Sequence, residues 1–307
     1  MRVATIDIGT NTVLLLVADR KEGRALVAVE ERARVTRLGE GVDVSRCFSA
    51  PALERTQACL DEYAQVVQTL GVDRIAVVGT SAMRDAGGGE HLLAHIEASF
   101  GVAVRVISGQ EEARLTFRGA LGGLPVPDGS ELAVFDIGGG STEVVLGRLE
   151  RDRAVIDYSE SFDVGSVRLT ERQVRTDPPD ALERTAVRET ARNAFAAVPA
   201  LKSGQTPVGI AGTMTTLAAV SLGLSVYDGA RVHGHAMRRE ELQRVIAELA
   251  SMPLEARRLV AGMEPKRADV IVAGGIIALS LLERWDAQEV LVSDRGVRWG
   301  LAEELTQ

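Results

Sequence analysis

The groups in this chain best placed to do chemistry lie in one short stretch, Asp136-Ile137-Gly138-Gly139-Gly140-Ser141-Thr142-Glu143. Consecutive glycines tolerate positive φ and leave backbone N–H groups uncovered, and uncovered amides in a turn form a nest for an anion. Ser141 and Thr142 add hydroxyl donors, and the carboxylates of Asp136 and Glu143 can hold a hard cation against phosphate oxygens. The stretch lies between the apolar runs 132–135 and 144–146, a pattern that predicts two strands joined by a tight turn. Taken alone, an ordinary β-hairpin accounts for it equally well.

A near-copy near the N-terminus points to the phosphate. Asp7-Ile8-Gly9-Thr10-Asn11-Thr12 follows the apolar run 3–6 and precedes 13–17, so strand, Asp-x-Gly turn and strand recur 129 residues later (136 minus 7). Two copies suggest two related half-structures. If their turns face one another across a cleft, each contributes amides and hydroxyls to one polyanion, with the two aspartates between them for its metal. This pair of turns resembles the actin, sugar-kinase and chaperone-ATPase superfamily. The expected fold is therefore α/β: two ribonuclease H-like domains with an interdomain active-site cleft.

Composition sets the outer limits. The 307 residues suffice for two domains, and 46% apolar with 25% charged residues is the balance of a globular protein. The formal charge, 35 minus 43, is −8, which argues against binding a nucleic acid polymer and leaves local arginines and a metal to meet any polyanion. Aromatics at 4% are sparse for base-stacking platforms. Cys47 and Cys59 make neither a disulfide framework nor a metal-ligand spacing. Asp7 interrupts the first apolar run, so it is no signal peptide; the run 270–282 contains Gly274, Gly275 and Ser280 and is too short to span a bilayer. The expectation is a cytoplasmic protein with no membrane partner.

The elements that must hold the turns alternate between strand and helix. Strands are expected over 2–19 around the first turn and over 24–36 after the turn Lys21-Glu22-Gly23. A helix capped by Ser49 should run to Gly71, followed by a strand at 74–78 leading into Gly79-Thr80-Ser81-Ala82-Met83-Arg84, a helix over 91–100 and a strand at 102–107. The turn formers at 125–130 mark the expected boundary between domains at 1–125 and 126–307. In the second half the spacing predicts strands to about residue 162, a helix after Gly165, a long helix to about 200, and a strand at 208–211 entering Gly212-Thr213. Helices are expected over 238–252, 253–263 and from Arg267 to Leu282, then a strand at 289–292. The last helix, about 296–307, is expected to pack back on the first domain. His91/His95 and His233/His235 lack further ligands and read as ordinary surface or loop histidines.

With these residues laid out, the chain resembles the exopolyphosphatase and guanosine-pentaphosphate phosphohydrolase (Ppx/GppA) family along nearly its full length. The resemblance is carried by both Asp-x-Gly turns, the turn at 80–84, Ile107-Ser108-Gly109-Gln110-Glu111-Glu112-Ala113-Arg114-Leu115 and Gly165-Ser166-Val167-Arg168-Leu169, together with Gly212-Thr213, Arg267-Ala268-Asp269 and Arg298-Trp299-Gly300. It implies hydrolysis of a terminal phosphoanhydride in inorganic polyphosphate or guanosine pentaphosphate with Mg²⁺ or another divalent cation, and makes a homodimer plausible. The family's longer members carry a further helical region, so the resemblance is to a short form. On helix rules alone Glu112 reads as an acid favoured by the helix dipole; the resemblance makes it the catalytic base, with Glu143 also catalytic. By the same resemblance Asp7, Asp136 and Glu143 are the metal carboxylates. Thr10, Asn11, Thr12, Arg84, Gly138, Gly139, Gly140, Ser141, Thr142, Gly212, Thr213 and Arg267 bind phosphate or substrate, and Arg298 extends the basic path. Two other readings of the fold stay open here: an ATP-dependent small-molecule kinase and a non-catalytic nucleotide-responsive binding protein.

Overall fold

The computed structural model describes residues 1–21, 26–124, 126–127, 129–150 and 153–307. Contacts gather the chain into two units, Met1–Gly119 with Val297–Gln307, and Ala120–Gly296. Parts of the expected turn at 21–23, the start of the third strand at Arg24, and Pro125 and Asp128 of the expected boundary lie outside the described residues.

The first unit opens with β1 (Arg2–Ile8), β2 (Thr12–Asp19) and β3 (Val27–Val35), then α1 (Val42–Ser45), α2 (Ala50–Leu70), β4 (Arg74–Gly79), α3 (Ser81–Asp85), α4 (Glu90–Phe100), β5 (Val104–Val106) and α5 (Gly109–Ala120). Its sheet runs β3-β2-β1-β4-β5, antiparallel among the first three strands and parallel from β1 onward. Residues 3 to 8 of β1 are all buried, as expected of a strand covered on both faces. One cover is α2, whose entry and exit are written in its ends: Ser49 accepts the Ala52 N–H, Pro51 occupies the first turn, and Gly71 closes the helix at φ 61°. Its buried stripe, Cys59, Leu60, Tyr63 and Val67, packs with Leu15 and Val17 of β2. The Tyr63 hydroxyl donates to Val13 O at 3.1 Å, and burial pushes the phenol pKa up.

The second unit repeats the plan. It comprises β6 (Glu131–Ile137), β7 (Thr142–Glu150), β8 (Arg153–Phe162), α6 (Ser166–Gln173), α7 (Ala181–Ala194), β9 (Thr206–Ile210), α8 (Ala211–Ser221), α9 (Gly229–Val232), β10 (His235–Arg238), α10 (Arg239–Ser251), α11 (Leu254–Arg257), α12 (Ile271–Arg284) and β11 (Glu289–Val292). The order β8-β7-β6-β9-β11 matches that of the first sheet strand for strand, with β10 added antiparallel at the edge. Residues 271 to 282 of α12 are buried without interruption, and the helix is the apolar centre of this unit.

The closing helix, α13 (Val297–Leu305), completes the first unit. Trp299 and Ala302 pack on Val3, Leu16 and Ala18, while Val297 and Leu301 meet Val78, Ile107 and Leu115. A Cβ on Gly300 would lie 2.0 Å from the Leu115 carbonyl oxygen, so only glycine lets α13 sit this close to α5. Arg298 Nη2 donates to Glu31 at 2.6 Å, and its carbonyl accepts the Thr5 hydroxyl.

Several expected elements differ from those observed. The helix expected over 253–263 is only the four residues of α11, followed by turns. The helix expected from Arg267 begins at Ile271, so Arg267 lies in the turn before it. Residues 235–238 form a strand rather than a loop, because β11 offers them a ladder. The strand expected at 102–107 is confined to β5, and α3 is a helix where a turn was expected.

Candidate active site

Within each sheet the parallel strands end at one edge, and the residues singled out from sequence follow those ends. In the first unit the turn 9–11 follows β1, Thr80 to Arg84 follow β4, and Ser108 to Glu112 follow β5. In the second, the turn 138–141 follows β6, Ala211 to Thr213 follow β9, and Ser293 follows β11. Open α/β sheets bind ligands at this carboxyl edge.

The two turns are built alike. Gly9 N–H donates to Thr12 O and Gly138 N–H to Ser141 O, each at 3.0 Å. Neighbouring backbone then takes up the turn carbonyls. In the first unit Thr36 and Arg37 N–H both donate to Asn11 O at 3.0 Å, and Gly39 N–H donates to Thr10 O at 2.8 Å. In the second, Ser166 N–H donates to Gly138 O at 2.9 Å, Val167 and Arg168 N–H to Gly139 O at 2.9 and 3.0 Å, and Arg168 Nε to Gly140 O at 2.6 Å. Among the described residues, nothing uses the amides of Thr10, Asn11, Gly139, Gly140 and Ser141, although all five residues are buried. A buried, unused N–H costs about as much as a lost hydrogen bond, so these turns are built to receive acceptors from a ligand.

Close backbone approach makes the second clamp possible. A Cβ on Gly165 would lie 2.3 Å from Gly139 O and 2.6 Å from Gly140 C. The hydroxyl protons of Thr142 and Thr213 are committed to Val164 O (2.5 Å) and Ile137 O (3.1 Å), so these threonines position the turn rather than grip a ligand with their side chains.

Asp136 and Glu143 are register partners across β6 and β7, which puts both carboxylates on one face of the ladder. Glu143 is 1% exposed and accepts the Ser161 hydroxyl at 2.7 Å. In the other unit Asp7 is also buried before its own turn, and the buried Asn11 Oδ1 has no partner among the described residues. No three His, Cys, Asp or Glu side chains gather as a metal group among the described residues. The Asp136–Glu143 pair is nonetheless a hard-oxygen donor set that fits Mg²⁺, which takes one or two carboxylates and keeps several waters.

Glu112, buried in the first turn of α5, accepts Arg84 Nη1 at 2.6 Å, and the same nitrogen donates to Ile107 O at 2.9 Å. Arg84 thereby fixes the carboxylate to the end of β5. Arg267 lies over Gly212, where a Cβ would fall 1.2 Å from its Nη1. Burial holds this guanidinium below its ordinary pKa, while Glu264, Tyr227 and Asp136 raise it. Arg257, passed over in the sequence, is buried with its nitrogens donating to Leu249 O, Met252 O and Ala268 O, and so ties the turn carrying Arg267 to the end of α10. Arg168 and the segment 36–39 were also passed over as clamps. The same 129-residue offset that relates the turns relates Thr36 to Gly165, and that signal could have found them.

Two ribonuclease H-like sheets, each with a glycine turn after its first strand, define a protein of the actin-like ATPase fold. The chain belongs to the Ppx/GppA phosphatase family, whose model matches residues 16–306. It is similar to exopolyphosphatase 2 of Mycobacterium tuberculosis, 40% identical over 98% of this chain and 97% of that protein. It is also similar to the guanosine-5′-triphosphate,3′-diphosphate pyrophosphatase of Vibrio atlanticus, 27% identical over 98% of this chain and 59% of that one. The crystal structure of the Aquifex aeolicus Ppx/GppA enzyme matches with a TM-score of 0.82 and 34% identity, covering 99% of both chains.

Proposed function

We propose that this chain hydrolyses the terminal phosphoanhydride of inorganic polyphosphate, releasing orthophosphate, and that guanosine pentaphosphate is a second substrate. The observation that carries this reading is the pair of turns whose carbonyls are clamped and whose buried amides are left for a ligand. Similarity to an exopolyphosphatase and to a guanosine-nucleotide pyrophosphatase supports the substrate class.

In this reading the turn of each unit is a cradle for phosphate. The amides of Gly139, Gly140 and Ser141 and of Thr10 and Asn11 hold phosphoryl oxygens where negative charge collects, with no reorganisation at the moment of reaction. Arg267 adds a guanidinium that can fork onto two oxygens. Glu112, immobilised by Arg84, takes a proton from the attacking water. Asp136 and Glu143 would hold the divalent cation, which when bound neutralises charge on the transferred phosphoryl group.

The test is orthophosphate release with Mg²⁺ and no acceptor, from polyphosphate, guanosine pentaphosphate and ATP in parallel. Release from polyphosphate is expected. Release from ATP alone, or only after a sugar is added, overturns the proposal.

A further inference from the structure

Each sheet carries a row of residues, side by side across three strands, next to its glycine turn, and the two rows differ. In the second unit Asp136 of β6 is the register partner of Glu143 of β7, and Glu143 is that of Ser161 of β8. In the first, Asp7 of β1 stands opposite Leu14 of β2, and Leu14 opposite Ala33 of β3. A shared irregularity sets the equivalence: the register of the second and third strands shifts at Val17/Ala18 in one sheet and at Leu146/Gly147 in the other, again 129 residues apart (146 minus 17). Both rows keep the aspartate. The glutamate and the serine occur together in one row, and leucine and alanine replace both in the other.

Strand alternation gives the row its direction. Ile137, Val144 and Phe162, the chain neighbours of Asp136, Glu143 and Ser161, enter the apolar core around α12, so the three polar residues lie on the opposite face of the sheet. There Glu143 is 1% exposed, and the Ser161 hydroxyl donates to its Oε1 at 2.7 Å. Burying a carboxylate is costly unless its charge is met, and the leucine of the first row shows that the fold does not need an acid here. A serine hydroxyl fixes the plane of the carboxylate but brings no countercharge. A cation held together with Asp136 brings it, and carboxylates that bind metals are oriented by just such outer hydrogen bonds. Ser159 gives a comparison within the same strand. It lies two residues earlier on the same face, opposite Val145, and its buried hydroxyl has no partner among the described residues.

We propose that Ser161 is a positioning residue for Glu143: its hydroxyl holds the carboxylate in the orientation that, with Asp136, takes a divalent cation. This rests on reading Asp136 and Glu143 as the metal pair, and it adds a strand, β8, whose part in the site is to aim that pair.

The experiment titrates the substrate-free protein with Mn²⁺, a paramagnetic stand-in for Mg²⁺, and reads bound metal by electron paramagnetic resonance. Ser161→Ala should weaken Mn²⁺ binding roughly tenfold or more, the scale for losing an outer partner of a metal ligand. Ser159→Ala, which removes a hydroxyl of the same strand and face that touches no carboxylate, should bind Mn²⁺ as the wild type does. Glu143→Ala should lose at least as much affinity as Ser161→Ala. Adding Ser161→Ala to Glu143→Ala should cost nothing further, because the serine acts only through that carboxylate. Unchanged affinity in Ser161→Ala, an equal loss in Ser159→Ala, or a double variant weaker than Glu143→Ala alone overturns the role of Ser161 and leaves Glu143 a metal ligand. If the wild type binds no Mn²⁺, or Glu143→Ala binds it equally well, the metal reading itself fails and the positioning role falls with it.

Discussion

Glu112 and Arg84 form a unit in which one group has the chemistry and the other fixes where it happens. Because Arg84 Nη1 bridges Glu112 and the Ile107 carbonyl, the carboxylate is tied to the end of β5 rather than left free on a helix start. Glu112→Gln keeps the shape and a hydrogen-bond acceptor but removes the basic oxygen. Turnover should fall roughly 10²-fold or more, the scale of lost general-base help, with the circular dichroism spectrum unchanged. Near-normal turnover would remove Glu112 from the mechanism. Glu143 has a different expected signature. Glu143→Ala should lower activity in a way that excess Mg²⁺ partly restores, seen as a raised half-saturating Mg²⁺ concentration; an unmoved metal titration would make Glu143 structural. The two acids could be nominated from sequence because motif position distinguishes Glu112 from Glu111. That Arg84 would pair with Glu112 was not legible, since the two stand 28 residues apart in the chain and are brought together by neighbouring strand ends.

At the scale of elements, the glycine turn is held by a second piece of backbone rather than by side chains alone. Gly165→Ala would drive a methyl into the Gly139 and Gly140 backbone, a contact that neither segment can relieve by a rotamer change. Overpacking of this kind costs about 1–3 kcal/mol, and phosphate release should fall with it because the amides move. Full activity with unchanged stability would show that the clamp does not set the turn. Helix α7 offers a pH-dependent counterpart away from the site. Glu183 accepts the Thr176 hydroxyl at 2.6 Å and the backbone N–H groups of Arg175, Thr176 and Asp180, and these bonds, the hydroxyl first, hold its carboxyl down at about 2. A depressed folded-state pKa contributes stability above the unfolded value and loses it as pH falls toward the folded one. The first turn of α7 should therefore keep its amide protection at pH 6 and lose it between about pH 4.5 and 2, an effect Glu183→Gln should abolish. Elements with strong local signals were legible: Ser49, Pro51 and Gly71 bracket α2. The strand β10 was not, because four residues become a strand only when β11 supplies the ladder. The helix expected over 253–263 failed for a related reason: it stops at Arg257, whose side chain turns inward to cap α10.

On the scale of the whole chain, one architectural unit is written twice, and the last residues return to finish the first copy. The repeat was legible because a 129-residue offset relates Asp7 to Asp136, and the same offset holds for the turn-closing bonds of Gly9 and Gly138. The return of α13 was expected but its fastening was not: Trp299 and Gly300 stand in a family motif, yet they serve packing, one filling the face of β1 and β2 and the other admitting the Leu115 backbone. This arrangement predicts how damage should spread. Each unit contains one tryptophan, Trp285 tilted against Phe135 with ring centroids 5.9 Å apart in the second and Trp299 in the first, so Trp299→Ala leaves Trp285 as a fluorescent reporter of the second unit alone. Removing a buried indole costs about 3–5 kcal/mol through lost contacts and the cavity left behind. Because the cavity opens under β1 and β2, hydrogen exchange should accelerate across β1, β2 and β4, while β6, β7 and β9 keep their protection. The Trp285 emission should still report a cooperative urea transition near the wild-type midpoint after exchange in the first sheet has risen. If protection is lost equally from both sheets, or the Trp285 transition shifts by the full 3–5 kcal/mol, the two copies unfold as one body and the closing helix stabilises the whole chain rather than its first half.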